Sequence, residues 1–246
     1  MRLQTPAWLV GSLALLLSLG GAVGQGSFQN LGFESASIVP IPGDPYARVQ
    51  FAPAFPGWTG SEGGVQLGTV LYNSMFLDSS GIGILDHSWP STLGISGVTG
   101  PIAGNYSALL QAGIGGPGLG TPADTTLSQT ALVPASAQSL QFKAWSPEYL
   151  SPLVPLFVTL GGQRLSLTPL ASGPNYALYG ADIHTLAGQM AELNFTVPAS
   201  NPHTVQNDVF LDSIQFSNLP IPEPGIFALC ALGALLLGWR VLGRRR

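Results

Sequence analysis

Charged residues are scarce in this chain, since they make up only 8% of its 246 residues. Basic residues are the scarcest between the two ends, where Arg48, Lys143 and Arg164 stand against eleven acids over residues 25–221. These three basic and eleven acidic residues give the segment a formal charge of −8. Because a surface of this sign does not neutralise phosphates, the sequence predicts no binding of nucleic acid.

Cysteine is almost absent as well. The single cysteine, Cys230, lies in an apolar run near the C-terminus, so residues 25–221 have neither a disulfide nor a thiol nucleophile. Glycine (32) and proline (21) are abundant instead. These residues favour short strands joined by turns over a helical bundle, and the chain is long enough for one good-sized core.

The first residues have the three parts of a secretory signal peptide. Arg2 supplies positive charge, residues 7–19 form an apolar run, and small residues occupy positions 20–24. The run is shorter than the roughly 20 residues that a spanning helix needs. We therefore predict a signal helix over residues 1–24, passage through the Sec translocon and cleavage by signal peptidase between Gly24 and Gln25. Cleavage after Ala22 and an uncleaved anchor are the alternatives.

The last residues combine two prolines, an apolar run and a basic cluster. Pro222-Glu223-Pro224 precedes an apolar run over residues 226–239. Counting on through residue 242 gives 17 residues, about the lower limit for a membrane span. The arginines that follow favour a cytoplasmic C-terminus, which leaves the acidic middle on the far side of the membrane. Both ends of the sequence therefore predict the same topology.

The arrangement of residues 220–246 resembles the PEP-CTERM sorting signal of Gram-negative bacteria, with Pro222, Glu223 and Pro224 as the sorting motif. The resemblance implies processing by an exosortase-type enzyme after transient anchoring in the inner membrane by a C-terminal transmembrane helix. It also implies delivery to the cell surface or the extracellular space, in association with exopolysaccharide or biofilm matrix. The alternative is a permanent tail anchor on a structural envelope protein.

Residues between the two ends show the periodicity of strands. Apolar and polar residues alternate over 140–144, 192–197 and 213–217, so each segment has one face for a core and one for solvent. Gly161-Gly162 lies between two strand-like runs and predicts a tight hairpin. Further strands are expected over 65–72, 106–111, 127–133 and 176–183. The predicted fold class of residues 25–219 is all-β, an antiparallel β-sandwich.

The order of short motifs in this segment resembles that of galactose-binding-like jelly rolls, which include many carbohydrate-binding modules. The motifs are Asn-Leu-Gly-Phe-Glu at 30–34, Pro-Gly-Trp at 56–58, and the segments 126–130, 140–144 and 210–214. The resemblance implies a jelly roll with a structural calcium ion that Glu34 and Asp212 help to hold. Calcium prefers about six to eight oxygen ligands. The alternative is that the two residues are a solvated acid and a turn or edge residue.

Aromatic side chains are the candidates for carbohydrate binding, because their faces stack on sugar rings. Trp58 closes the second motif, and Trp145 lies just beyond an alternating strand, on the face of Gln141 and Lys143. We therefore predict Trp58 and Trp145 as ligand-binding residues. The alternative is packing in or beside the core, which is a common role of tryptophan in a sandwich.

Catalytic patterns are weak in this sequence. Asp86-His87-Ser88 places three polar residues in a row, but neighbouring strand residues face opposite sides of a sheet. His184 and His203 lack the spacing of metal ligands. We therefore predict an exported protein without enzymatic activity. The alternative from another class is a secreted carbohydrate-active hydrolase, which needs two carboxylates about 5–10 Å apart in a cleft.

Overall fold

The computed structural model describes residues 27–76, 79–89, 100–113, 122–146, 156–199 and 207–221. The predicted signal peptide, its cleavage position at Gly24 and Gln25, the sorting motif Pro222-Glu223-Pro224 and the C-terminal apolar run lie outside these ranges. Within the ranges, none of the helices combines the length and apolar character of a membrane span.

Strands dominate the described residues, and two short helical turns interrupt them, α1 (Phe51–Ala54) and a 3₁₀ turn at His184–Leu186. The described strands are β1 (Arg48–Gln50), β2 (Thr59–Glu62), β3 (Val65–Gln66), β4 (Thr69–Tyr72), β5 (Gly81–Leu85), β6 (Ser107–Ala112), β7 (Thr125–Leu132), β8 (Ser139–Trp145), β9 (Phe157–Leu160), β10 (Gln163–Arg164), β11 (Thr168–Gly173), β12 (Tyr176–Asp182), β13 (Met190–Val197) and β14 (Asn207–Ser217).

The strands form two sheets. The larger sheet has eight strands in the order β1-β4-β5-β6-β14-β8-β12-β11, and the smaller has six in the order β10-β9-β13-β7-β2-β3. Neighbouring strands are antiparallel, except that β4 and β5 pair in parallel. The prediction of an all-β, mainly antiparallel fold is confirmed. The predicted hairpin at Gly161-Gly162 joins β9 to β10.

One apolar core includes side chains from both sheets. Leu140 and Phe142 of β8 are fully buried, as are Leu193 and Phe195 of β13, so the predicted alternation does place apolar residues inside. The rings of Phe142 and Phe195 meet edge to face with 5.1 Å between their centroids. Complete burial of a large apolar side chain is worth about 1.5–3 kcal/mol. This core is therefore the main source of attraction between the sheets.

The predicted strand at residues 65–72 is divided in the structure. Its first part is β3 in the smaller sheet and its second part is β4 in the larger sheet. At the break, Leu67 N donates to Gly60 O, and Gly68 O accepts from Phe51 N. The backbone thus keeps its hydrogen bonds while the chain crosses between sheets. Periodicity identifies strand-forming residues but not their sheet, so the sequence did not reveal that this run crosses between sheets.

Five strands begin or end at one end of the two sheets, here called the exit end. It comprises segments 133–138, 183–189 and 218–221. The first two segments hydrogen-bond to each other through Gln138 O and Gln189 O. They connect β7 to β8 and β12 to β13. The third segment follows β14, so the described chain leaves the domain here.

The described chain also begins at the exit end. Ser27 forms an isolated bridge with Leu132, the last residue of β7. The next residue, Phe28, packs against Phe216 near the end of β14, with 4.8 Å between ring centroids. The first and last described segments are therefore in direct contact.

Candidate functional site

The motif at residues 30–34 folds as a tight double turn, since Asn30 and Phe33 have positive φ angles of 50° and 60°. Asn30 Oδ1 accepts a 2.9 Å hydrogen bond from Ser35 N, and the backbone carbonyl of Asn30 accepts one of 3.1 Å from Trp58 Nε1. Asparagine adopts positive φ more readily than most residues. The motifs at 30–34 and 56–58 therefore form one packed unit rather than two separate sites.

Trp58 is a core residue. Its side chain is only 6% exposed, and its ring centroid lies 5.8 Å from that of Phe33 and 6.4 Å from that of Phe195. Its indole N–H is already bonded within the chain. The ring is not free to stack on a sugar, which corrects the expectation that Trp58 binds ligand.

Glu34 binds the loop that precedes β6. Its carboxylate accepts hydrogen bonds from Asn105 N at 2.9 and 3.0 Å, from Asn105 Nδ2 at 2.9 Å and from Tyr106 N at 3.3 Å. The carboxylate lies flat against Gly104, where any side chain would overlap it. Gly104 also has a φ of 58°, which glycine adopts without strain. The loop and the carboxylate are thus fitted to each other.

Asp212 binds the same loop, although it lies far from Glu34 in the sequence. Its side chain is 1% exposed, and Oδ2 accepts from Ala103 N at 2.9 Å and from Ser107 Oγ at 2.6 Å. Oδ1 accepts from Ser213 N. Asp212 begins a β-bulge in β14, within which Ser213 has a φ of 51°. The bulge turns the backbone so that Ile214 N donates to Leu31 O at 2.9 Å.

Burial raises the pKa of the Asp212 carboxyl above its ordinary value of 3.8. Hydrogen bonds from Ser107, Ala103 and Ser213 act in the opposite direction, and the nearby charge of Glu34 adds to the increase. Desolvation of a carboxylate disfavours its charged form, and donated hydrogen bonds only partly compensate here. Asp212 is therefore a buried acid held in place by backbone donors.

The jelly-roll resemblance implied that Glu34 and Asp212 come together, and both side chains lie beside Gly32. The resemblance gave no indication of the 103–107 loop between them. That loop carried only one local signal, a glycine within a polar run. The pair and the loop together are here called the carboxylate clasp. It ties the turn at residues 30–34 to β14.

The carboxylate clasp does not fit a calcium ion in this arrangement. The carboxylate oxygens of Glu34 and Asp212 face N–H and O–H donors, whereas calcium needs oxygen lone pairs directed at it. Among the described residues, no group of three or more His, Cys, Asp or Glu is placed to hold a metal. A calcium titration tests the ion that the jelly-roll resemblance implies.

Trp145 lies on the outer face of the larger sheet. It is half-buried, it is the register partner of Phe210 on β14, and the two ring centroids are 5.4 Å apart. Two residues earlier on β8, Lys143 places its Nζ 4.8 Å from the ring centroid of Tyr176 on β12. Alternate residues of a strand share a face, so Trp145, Lys143 and Tyr176 form one aromatic and cationic surface.

The sequence Asp86-His87-Ser88 does not form a catalytic triad in the structure. The Asp86 carboxylate accepts from Tyr72 Oη at 2.6 Å, from Asn73 Nδ2 at 2.6 Å and from Ser88 N at 2.7 Å. Burial tends to raise the pKa of Asp86, but these hydrogen bonds outweigh it and lower the pKa. Burial and the bond to Asp86 raise the pKa of Tyr72 to about 12. Asp86 therefore anchors the start of its own loop.

No protein-family model matches this chain, and no curated protein matches it either. Among solved structures, it is similar to the enzymatically active domain of tailspike protein 4 of bacteriophage CBA120, with 12% identity and a TM-score of 0.39 over 78% of this chain and 21% of that one. It is also similar to the secreted serine protease VesC from Vibrio cholerae, with 10% identity and a TM-score of 0.28 over 76% of this chain and 44% of that one. The chain thus spans less than half of either protein, and similarities this weak do not bear on its function.

Proposed function

We propose that this chain is an exported β-sandwich of the jelly-roll class, without enzymatic activity, that is sorted by an exosortase-type enzyme and associates with the exopolysaccharide matrix. It passes through the Sec translocon and loses its signal helix to signal peptidase. A C-terminal transmembrane helix then holds it in the inner membrane until the tail is removed. The observation that supports this route is the contact between Phe28 and Phe216 at the exit end.

This contact limits how far apart the two predicted processing positions are. Gly24 precedes Phe28 by four residues, and Pro222 follows Phe216 by six. An extended chain spans at most ~3.3–3.6 Å per residue, so these positions lie within about 14 Å and about 21 Å of the packed rings. Both processing positions therefore belong to one end of the domain. Two membrane-bound enzymes can then act in turn without the domain having to rotate.

Mass spectrometry of the product tests the sorting proposal. The full chain is expressed in a bacterium with an exosortase system and in a matched strain that lacks the exosortase. We expect an N-terminus at Gln25 in both strains, and a C-terminus near the Pro222-Glu223-Pro224 motif only when the exosortase is present. Glu223→Ala should prevent the second cut, whereas the control Glu192→Ala on β13 should not. An intact C-terminus in the exosortase-bearing strain would overturn the proposal.

The surface formed by Trp145, Lys143 and Tyr176 is the best candidate for contact with polysaccharide. It combines two aromatic side chains with one of the few basic residues of the segment 25–221. Such a surface offers faces for sugar rings and a positive charge for acidic sugars. Binding is measured by sedimentation of the protein with purified host exopolysaccharide.

For this binding we expect Trp145→Ala to weaken the affinity at least about tenfold, as loss of a central aromatic contact does. The matched control is Tyr46→Ala, because Tyr46 is also aromatic and is 62% exposed. It lies just before β1, at one edge of the larger sheet. Equal loss in both variants would show non-specific adhesion and would contradict a site at Trp145.

The hydrogen bonds that Glu34 and Asp212 accept within the chain support the proposed lack of catalysis. Retaining and inverting glycosidases need two carboxyl groups open to one sugar. In the carboxylate clasp, Glu34 and Asp212 are committed to the loop before β6. Release of reducing sugar ends from a polysaccharide by the purified chain, abolished in Glu34→Gln, would favour the hydrolase instead.

A further inference from the structure

The last described residues are bound to the domain, although they directly precede the predicted sorting motif. Gln138 N donates to Ser217 O at 2.7 Å, and Ser139 Oγ donates to Leu219 O at 2.7 Å. Leu219 N donates to Ser217 Oγ at 3.1 Å. These bonds direct the backbone away from β14 and across the start of β8. The chain is thus guided over the larger sheet rather than released into solvent.

Ile221 ends this path on β12. Its Cδ1 and that of Leu170 lie over Gly180, where a β-carbon would overlap both. Gly180 is a strand residue with register partners on both sides, Thr168 and Gln141. Its φ is not positive, so the glycine is required by the approach of these side chains and not by the backbone. Ile221, Gly180 and Leu170, with the Ser139–Leu219 bond, are here called the exit latch.

The exit latch leaves little free chain before the membrane. Four residues, 222–225, separate Ile221 from the apolar run that begins at residue 226. Fully extended, the five steps from Ile221 to residue 226 cover at most about 17 Å. The headgroup layer on one side of a bilayer takes up about 5–8 Å of this distance. While the latch is closed, the domain therefore lies close to the membrane surface and the sorting motif is confined between them.

We propose that the exit latch gates tail removal: the processing enzyme acts on the molecules in which residues 219–221 have left Gly180 and Ser139. This inference rests on the proposed sorting by an exosortase-type enzyme. A processing enzyme binds its substrate as an extended backbone, and the residues just before the motif are engaged with the domain when the latch is closed. The step breaks one peptide bond near the motif and passes the acyl group to water or to an amine, and the tail leaves with a new amino group that takes up the proton lost by the attacking molecule. The observed rate is the intrinsic rate multiplied by the open fraction.

The test compares two variants that open the latch from its two sides. Gly180→Val fills the space under Ile221 with a residue that suits a strand. Position 180 lies 42 residues before the motif in sequence. Ile221→Ser removes the latching side chain without touching the core. The matched control is Gly68→Val, because nothing lies within 4 Å of a β-carbon at Gly68. Each full-length chain is followed by pulse labelling in the exosortase-bearing strain and in the strain without the enzyme.

We expect tail removal about fivefold faster in Gly180→Val and in Ile221→Ser, which is the change that partial burial of one isoleucine supports. The double variant should be no faster than the faster single variant, because both changes remove the same contact. Gly68→Val should behave as the unaltered chain does. Thermal unfolding of each purified chain shows whether a change in rate comes from loss of the fold.

Two results would overturn the gate alone, and a third would overturn both the gate and the proposed sorting. Equal rates in the unaltered chain and Gly180→Val would show that the latch does not limit processing. A change in Ile221→Ser alone would show that the enzyme reads residue 221 directly, which also rules out the gate. If the unaltered chain and both latch variants keep their tails where the exosortase is present, the proposed sorting fails and the gate fails with it.

Discussion

Removal of the charge of Asp212 is the most direct test of the carboxylate clasp. In Asp212→Asn, one acceptor oxygen becomes an amide NH₂ group, which faces donors instead of accepting from them. The affected donors are Ala103 N and Ser107 Oγ on one oxygen and Ser213 N on the other. At least one backbone N–H near a side chain that is 1% exposed then loses its partner.

The magnitude follows from the cost of an unpaired buried donor, about 1–3 kcal/mol, and from hydrogen bonds to a charged group, worth about 1.5–3 kcal/mol each. Removal of a buried charge offsets part of this cost, because the raised pKa of Asp212 shows that burial already disfavours the carboxylate. We therefore expect Asp212→Asn to lower the free energy of unfolding by about 2 kcal/mol. In a domain of this size the unfolding temperature falls by about 2–4 °C per kcal/mol, or about 4–8 °C in all.

Urea and thermal unfolding, followed by circular dichroism, measure the effect. The control is Asp182→Asn, the same substitution at a carboxylate that is 62% exposed and accepts hydrogen bonds from His184, two residues later. Its effect should stay below about 0.5 kcal/mol. If Asp212→Asn were no more destabilising than this control, the carboxylate clasp would not contribute to stability and the reasoning would be refuted.

The pH dependence of the same pair of proteins supplies a second readout. The folded pKa of Asp212 lies above its ordinary value of 3.8, so the folded state holds the proton more tightly than the unfolded state does. The stability that this group contributes is complete below pH 3.8 and is lost as pH rises through the raised pKa. The difference in unfolding free energy between the unaltered chain and Asp212→Asn should therefore be largest in acid and smaller near neutral pH.

Three further outcomes are expected. In a spectroscopic titration of tyrosinate, one phenol should ionise near pH 12, as Tyr72 does by burial and its bond to Asp86, and Asp86→Asn should lower that pKa toward 10; ionisation of all tyrosines near pH 10 would contradict this assignment. Gly104→Ala should destabilise the fold by about 1–3 kcal/mol in urea unfolding, because the new side chain overlaps the Glu34 carboxylate at a positive φ, whereas Gly64→Ala, also at positive φ but in open space, should cost less. Calcium or a chelator should shift the unfolding temperature by less than about 1 °C, and a rise that grows with calcium concentration would instead show a bound ion.

The sequence predicts strand interiors well because burial there follows a period of two. Phe142 and Phe195 are inward residues of alternating segments, and both are fully buried. Periodicity carries no information about partners, so the parallel pairing of β4 with β5 and the division of residues 65–72 were not predictable. Partner choice depends on contacts between residues that are distant in sequence.

At the candidate site, too, the sequence did not reveal the contacts of single residues with partners that are distant in sequence. The order of motifs indicated that Glu34 and Asp212 meet, and they do meet at one loop. The loop itself was missed, because its role comes from backbone N–H groups that every residue but proline has. Trp58 was predicted to bind a ligand because an aromatic face can stack on a sugar ring, and packing in or beside the core was the alternative. Its ring packs against Phe33 and Phe195, and Phe33 has a positive φ that the sequence pattern did not indicate.

The position of β14 links folding to the proposed membrane route. β14 is the last of the described strands in sequence, yet it lies in the interior of the larger sheet between β6 and β8. Its Asp212 bonds to Ala103, 109 residues earlier, so the sheet and the carboxylate clasp close only when the end of the domain is available. The apolar tail begins at residue 226, nine residues after β14 ends at Ser217. In the proposed topology the tail therefore reaches the membrane at nearly the moment that β14 emerges from the translocon. In this topology the final strand would enter the sheet while the chain is already held at the exit end, and the closure of so long a loop would be a late step of folding.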